Sequence, residues 1–449
     1  MKKLLLINPV GRKSGFLLSR YSTFPPLSLA YLAALTPADW QVTIIDENFD
    51  AFAFQEADLV GITAFTSNIN RAYELCRVFR EHNVPVILGG IHVSMMPDEA
   101  LQHADAILVG EAEEIWAQVL ADTAAGTLQR QYTGPHVDLE KISVHPRHDL
   151  MDSRYFWHSV QTSRGCPFDC SFCSVTKYLG KSFRQRSVDD VLAELEKIPG
   201  RYVTFVDDNL IGCSRNSFQR AKELFQGMID RGLNKKWWMQ TSVNSIEDEE
   251  VVRLAAAAGC THVFIGFESV DQNILRSVDK GVNLKPGAEN YKKVIQVYHK
   301  YGIAVLGAFI IGNDHESVDY YRQMARYLLH SGIDIIQITV LTPLPGTRLL
   351  DELQEQQRLS FCQFPEDWEK YRFSYMVHEP VGLNAELVYQ GNNYIKQKIY
   401  GFPYFYLRLL RSLLSLRNWE SFRAVYKANF AYRKGWENSH YRQQFKPDF

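Results

Sequence analysis

Nothing constrains the fold of this chain more than the way short, almost unbroken apolar runs alternate with stretches of helical spacing. In residues 1–125 the runs are 4–8, 42–46, 59–64, 86–88 and 106–109, and between them residues 27–35, 69–82 and 97–103 place apolar side chains at three- and four-residue intervals. Strands that are apolar on both faces need cover on both. The expectation is an α/β fold with a doubly wound, Rossmann-like parallel sheet, its ligands at the carboxyl ends of the strands. A second alternation runs from about Val160 to Leu350, with strands predicted at 159–162, 202–206, 238–243, 262–266, 305–311 and 335–340 and helices such as 188–197 and 218–230. Six βα repeats predict a full or partial (β/α)6 barrel of TIM type over residues 153–350, with catalytic groups in the loops after the strands. The intervening residues 126–152 are polar, carry Gly134, Pro135, Pro146 and Asp149, and read as a linker. Residues 351–449 read as a mainly helical C-terminal region.

Composition removes several classes. With 449 residues, 46% hydrophobic and 13% aromatic, the chain is neither disordered nor fibrous, and a net charge of −2 argues against a nucleic-acid partner. No run approaches the length of about 18 apolar residues that a spanning helix needs. The start, Met1-Lys2-Lys3-Leu4-Leu5-Leu6-Ile7-Asn8-Pro9, turns polar too early for a signal peptide, so a cytoplasmic protein is expected. Seven cysteines is an odd and low count, and three of them fall within eight residues. A reduced compartment and a metal site follow more naturally than a disulfide framework. Cys213, Cys260 and Cys362 stand apart from that cluster and read as buried, inert thiols.

The cluster is Arg164-Gly165-Cys166-Pro167-Phe168-Asp169-Cys170-Ser171-Phe172-Cys173, directly after a predicted strand. Gly165 and Pro167 let the loop wrap a ligand. Structural zinc asks for four protein ligands, and no second Cys-x-x-Cys or His-x-x-x-His pair completes such a set. An iron–sulfur cube takes one ligand per iron, so three cysteines leave one iron open to chemistry.

This Cys-x3-Cys-x2-Cys loop, with the aromatic Phe172 before its last cysteine and at the end of a barrel's first strand, resembles the signature of radical S-adenosylmethionine enzymes. The resemblance implies that Cys166, Cys170 and Cys173 hold a [4Fe–4S] cluster whose open iron chelates S-adenosylmethionine, and that reduction yields a 5′-deoxyadenosyl radical. It also implies that Asp207 and Asp208, closing the second strand, occupy the place of a motif that orients the cofactor's amino group, although the usual glycine pair is absent. Glu268, in Gly266-Phe267-Glu268-Ser269, is placed to bond a ribose or amino group, and Arg276 or Lys280 to pair with the cofactor's carboxylate. The segment Leu341-Thr342-Pro343-Leu344-Pro345-Gly346-Thr347 is expected to be a rigid turn over the site.

Residues 1–125 resemble the cobalamin-binding domain of the B12-dependent branch of that superfamily through Ile7-Asn8-Pro9, the run Pro25-Pro26-Leu27-Ser28-Leu29-Ala30-Tyr31-Leu32, Gly61-Ile62-Thr63, Gly89-Gly90-Ile91-His92 and Gly110-Glu111-Ala112-Glu113. Glycines after strands let backbone approach a bulky ligand, so Gly89, Gly90, His92, Gly110 and Glu111 are expected to border cobalamin. The Asp-x-His-x-x-Gly motif that supplies histidine to cobalt in related domains is missing. The implied division of labour is hydrogen abstraction from an unactivated carbon followed by methyl delivery from the corrin, with electrons from an external flavodoxin- or ferredoxin-type donor. Two other readings remain open: a cyclase, oxidase or rearrangement enzyme of the same architecture, and a non-catalytic iron–sulfur or zinc protein.

The tail differs in composition. Residues 391–449 contain eleven Lys or Arg against three Asp or Glu, and fifteen aromatic residues. Within residues 404–416, Leu407, Leu410, Leu413 and Leu414 recur at helical spacing with Arg408 and Arg411 offset. One expectation is a helix packed on the barrel through those leucines with its arginines solvated. The sharper one is a surface that admits a hydrophobic small-molecule substrate or meets anionic lipid at the inner face of a membrane.

Overall fold

The computed structural model describes residues 1–11, 23–285, 287 and 290–447. The first apolar runs form strands β1 (Lys2–Asn8), β2 (Trp40–Asp46), β3 (Leu59–Thr63), β4 (Val86–Gly89) and β5 (Ala106–Gly110). They pair in parallel in the order β2-β1-β3-β4-β5, and β6 (Gln131–Gly134) adds a sixth strand at the edge beside β5. Thus part of the stretch that reads as linker belongs to the sheet; a four-residue edge strand, QYTG, has too little apolar periodicity to announce itself. Period two divides the sheet's side chains between two cores. Leu5, Ile7, Val60, Ile62, Val86 and Leu88 pack with helix Ile69–Glu81, while Leu4, Leu6, Leu59, Ile87 and Leu108 belong with helices Leu27–Leu35 and Trp116–Ala125 on the other face.

The second sheet is built from β7 (His158–Val160), β10 (Tyr202–Phe205), β11 (Lys236–Thr241), β12 (Cys260–Glu268), β13 (Ala304–Ile311) and β14 (Ile335–Val340), all parallel, in chain order across the sheet. Between β7 and β10 a small antiparallel pair, β8 (Ser163–Arg164) with β9 (Arg184–Gln185), brackets the cysteine loop. The first and last strands, β7 and β14, do not pair, so this is the partial barrel. Val263, Ile265 and Phe267 are fully buried outward against the helices, which by alternation turns His262, Phe264, Gly266 and Glu268 to the concave side.

Three long helices of the C-terminal region, Ala385–Tyr400, Tyr404–Leu416 and Trp419–Glu437, pack on the barrel. The segment before them does something else. Trp368, Tyr371 and Val377 are buried in the core of the first domain, and Trp368 Nε1 donates to Glu99 Oε2 at 2.9 Å. Among the thiols outside the cluster, Cys260 is buried as expected, but Cys213 and Cys362 are exposed, since each lies on a loop rather than an element's inner face. No helix among the described residues is long and apolar enough to cross a membrane.

Candidate active site

The cysteine loop is held in place by contacts within the chain. Gly165 adopts φ +88°, and a side chain there would meet the Ser182 carbonyl oxygen at 2.2 Å, so the chain can turn back over residues 180–182 only with glycine in place. Asp207 is completely buried and accepts hydrogen bonds from Thr162 N at 3.1 Å, Thr162 Oγ1 at 2.8 Å and Ser163 Oγ at 2.5 Å. Its carboxylate therefore locks the bend between β7 and β8. From the opposite side, the turn after β14 clamps the loop. Thr347 caps helix Arg348–Glu355, Leu349 N donates to Ser171 O at 3.1 Å, and Arg348 bonds both Asp169 and Asp279. The proline-rich segment after β14 thus holds the cysteine loop rather than merely covering it.

Cys170 is buried, and Cys166 and Cys173 are half-buried. Burial pushes the thiols up, Cys166 to about 11 and Cys173 to about 12, and Cys170 in the same direction. A positive charge facing them is thus required before they ionise. Among the described residues, no three His, Cys, Asp or Glu side chains converge on a single ion. A cube binds each thiolate on a different iron, so its ligands ring the cluster instead of meeting at one atom; three thiols on one loop without a fourth fit that group and not a mononuclear tetrahedral site.

Facing the cysteines are Lys280, Glu268 and Asp208. Lys280 Nζ lies 2.7 Å from Glu268 Oε1 and 5.9 Å from the Phe172 ring. Burial works against the ammonium, but Glu268 and the neighbouring thiols hold its pKa above the ordinary lysine value. Glu268 ends β12 at φ +61°, beyond a shift of register between Gly266 and Glu268. A side chain at Gly266 would fall 2.2 Å from Glu268 Oε1 and 3.1 Å from Lys280 Nζ, so this glycine makes room for the ion pair. Asn283 secures the strand end through the carbonyls of Gly266 and Phe267. Asp208 makes no side-chain hydrogen bond to another residue among the described ones, and burial, then the neighbouring Asp207, raises it to about 7. Arg276 is not brought to this group: it is exposed and bonds Asn273 Oδ1 at 3.0 Å.

At the first sheet's carboxyl edge the expectations need correction. His92 is completely buried, its Nδ1 3.1 Å from Thr66 Oγ1 and its Nε2 3.3 Å from Glu99 Oε1, with its ring against Trp368. Both nitrogens are occupied within the protein, so His92 does not face a cofactor. Glu111 is likewise consumed. It accepts from Arg184 Nη2 at 2.5 Å, Arg164 Nη1 at 3.0 Å and Val137 N at 2.9 Å, and although burial opposes it, these arginines keep its carboxyl below the usual range. Gly90 is required by its neighbour rather than by a ligand, for at φ +105° a side chain would strike the Ala64 carbonyl oxygen at 2.6 Å. Gly110 is hemmed in the same way by Gly134, whereas at Gly89 the nearest atoms lie at ordinary contact distance.

Arg164 and Arg184 flank the cysteine loop on β8 and β9, and the sequence pattern alone assigns them no role. They tie that loop to Glu111 and Glu113 of the first domain. The signal was present as two arginines beside the motif and two glutamates after β5, but pairings across more than fifty residues are not visible in charge counts. Tyr178, five residues beyond Cys173, completes the junction with its hydroxyl 3.4 Å from Gly110 O.

The comparisons agree with this geometry. The family described as the radical SAM superfamily matches residues 160–328, and the B12 binding domain family matches residues 14–120. The bacteriochlorophyllide d C-12(1)-methyltransferase of Chlorobaculum tepidum is 30% identical over 89% of this chain and 87% of its own length. The C-8(2)-methyltransferase of the same organism is 28% identical over 92% and 94%. Among solved structures, the radical S-adenosylmethionine methyltransferase TsrM from Kitasatospora setae, with cobalamin and a [4Fe–4S] cluster bound, matches 96% of this chain and 99% of its own at a TM-score of 0.69 and 17% identity, a likeness of fold. The chain belongs to the cobalamin-dependent radical S-adenosylmethionine methyltransferase family, an enzyme family whose cofactors are a [4Fe–4S] cluster, S-adenosylmethionine and cobalamin.

Proposed function

We propose that this enzyme methylates an unactivated carbon of a hydrophobic small molecule by way of a 5′-deoxyadenosyl radical, drawing electrons from an external flavodoxin- or ferredoxin-type protein. When bound, the cofactors supply reductive cleavage of a sulfonium and a methyl carrier. The remaining work falls to the chain. Cys166, Cys170 and Cys173 would hold the cluster. Lys280, balanced by Glu268, offers an ammonium to the carboxylate of S-adenosylmethionine, and Asp208 offers a carboxylate to its amino group. Gly89 and the backbone around Gly110 would border the corrin.

The observation that carries the reading is the junction itself. The loop that bears the cysteines and the carboxyl edge of the first sheet are bolted together through Arg164, Arg184 and Tyr178, which supports a reading in which groups held at the two edges act on one substrate. A substrate carbon can then be reached from both sides without leaving the shelter of the barrel, which keeps water from a reactive radical. Phe264 and Leu306, neighbours on β12 and β13, give the concave side an apolar lining, and the names of the relatives point to a large, hydrophobic substrate class.

Anaerobic turnover tests the reading. Purified, cluster-loaded enzyme with S-adenosylmethionine, a reductant and extracts from a deletion strain is expected to form 5′-deoxyadenosine and S-adenosylhomocysteine together, with a product heavier by one methylene. Formation of 5′-deoxyadenosine alone would remove methyl transfer from the proposal.

A further inference from the structure

Helix Tyr404–Leu416 sits on the barrel with its leucines outward. The side chains it buries are Phe405, Arg408, Leu409, Ser412 and Leu416, which recur at intervals of three and four and form one face. Arg408, 6% exposed, donates to Ile399 O at 3.2 Å and Asp334 O at 3.3 Å, so a charged side chain anchors the helix from within. On the other face Leu407, Leu410, Leu413 and Leu414 are 40–65% exposed. Phe402 lies just before the helix at 85% exposure and Trp419 just after it at 65%. Of the thirteen large hydrophobic side chains exposed among the described residues, nine fall in residues 402–426, which makes this a patch and not the scatter any surface shows.

The C-terminal region that carries it is basic overall. Residues 391–449 carry +8 within a whole-chain charge of −2, leaving −10 for the remainder. Arg411, whose Nη1 also donates to Leu329 O at 3.0 Å, and Arg417 are exposed on the helix and just after it. Two copies meeting through this patch would bring like charge against like charge. A surface with anionic headgroups over an apolar interior complements it in both respects.

We propose that the leucine face of helix Tyr404–Leu416 docks on an anionic lipid bilayer. The helix lies in the plane of the interface with its four leucines among the upper acyl carbons, Phe402 and Trp419 at the headgroup boundary where aromatic rings settle, and Arg411 and Arg417 toward the lipid phosphates. The buried contacts of Arg408 hold the patch rigid, so docking needs no folding step. The inference is independent of the chemistry proposed above, and its test reads no turnover.

Full-length, cluster-loaded protein is sedimented with vesicles of phosphatidylcholine alone or with added phosphatidylglycerol. Binding to the anionic vesicles is expected, weakening as salt is raised, and at least tenfold weaker for the triple variant Leu407→Glu, Leu410→Glu, Leu414→Glu. Since those side chains are exposed, iron content and circular dichroism should not change; the milder pair Leu410→Gln and Leu414→Gln should fall between. Absence of binding at low salt, or equal binding by the triple variant, would overturn the proposal. So would a concentration-dependent dimer that the triple variant disperses while vesicles capture nothing, which would assign the patch to a second copy.

Discussion

The carboxyl edges of the two sheets treat their polar side chains in opposite ways. At the barrel's edge Asp208 is without a side-chain partner among the described residues, and the Lys280–Glu268 pair, though internally satisfied, faces the cysteines. At the first domain's edge His92 and Glu111 have spent every strong bond on the protein itself. The difference follows from what each must hold. A cluster and a charged amino acid are gripped by directed bonds, which demand polar groups kept in reserve. A large flat ring system can be held by shape, with backbone brought close and side chains turned aside, and the polar groups there are then available to lock one domain to the next.

The largest effect that would break this contrast lies in the cysteines. Alanine at Cys166, Cys170 or Cys173 is expected to abolish the cluster's visible absorbance and all cleavage of S-adenosylmethionine, whereas Cys213→Ala, altering an exposed thiol, should leave iron content unchanged. Equal iron loss in Cys213→Ala would show the ligand set to be incomplete. Next comes Glu111→Ala, which leaves half-buried Arg184 with carbonyl partners and Arg164 with Glu113 as its carboxylate, and should cost about 3 kcal/mol in chemical denaturation. The contrast fails if that variant, or His92→Asn, releases cobalamin while stability is untouched.

Acid sharpens it. Burial holds His262 and His378 down to about 4, so the unfolded chain takes up protons below about pH 6.5 that the folded chain refuses. Their stabilising contribution is complete above that pH and falls by about 1.4 kcal/mol per pH unit for each histidine between pH 6.5 and 4. His378→Asn should flatten the decline by one histidine's share, measured by denaturation at successive pH values; an unchanged slope would mean that His378 protonates in the folded state. The smallest effect is expected from Arg348→Ala, whose partners Asp169 and Asp279 are exposed, at about 0.5 kcal/mol.

Much of this was legible in the chain. Apolar runs located all five principal strands of the first sheet and the six of the barrel; the central ones, such as β3, β4 and β13, are buried on both faces and have no other pattern to adopt. The cysteine loop announced itself through spacing alone. What escaped was whatever depends on a distant partner. Helix Tyr404–Leu416 illustrates it best: the four leucines define a stripe as regular as any core face, yet Phe405, Arg408, Leu409 and Ser412 are the side that is buried. Periodicity reveals that a helix has two faces. Here an arginine finds carbonyl oxygens beneath it, and that cannot be read from the helix's own residues. Glu111 and His92 misled for the same reason, since a polar residue in a glycine-rich loop looks identical whether its partner is a ligand or an arginine 53 positions away.

The indole of Trp368 rests in the core of the first domain, bonded to a glutamate 269 positions earlier. On the ribosome, therefore, the opening hundred residues emerge long before the piece that seals them. That half-finished sheet must wait, with an oily face uncovered, until the barrel has been made and the late segment threads back. Truncation before residue 368 should yield aggregates rather than a stable amino-terminal fragment, and the full polypeptide should profit from chaperones that shield early chains. Completion of the corrin-binding half is thereby tied to completion of the whole.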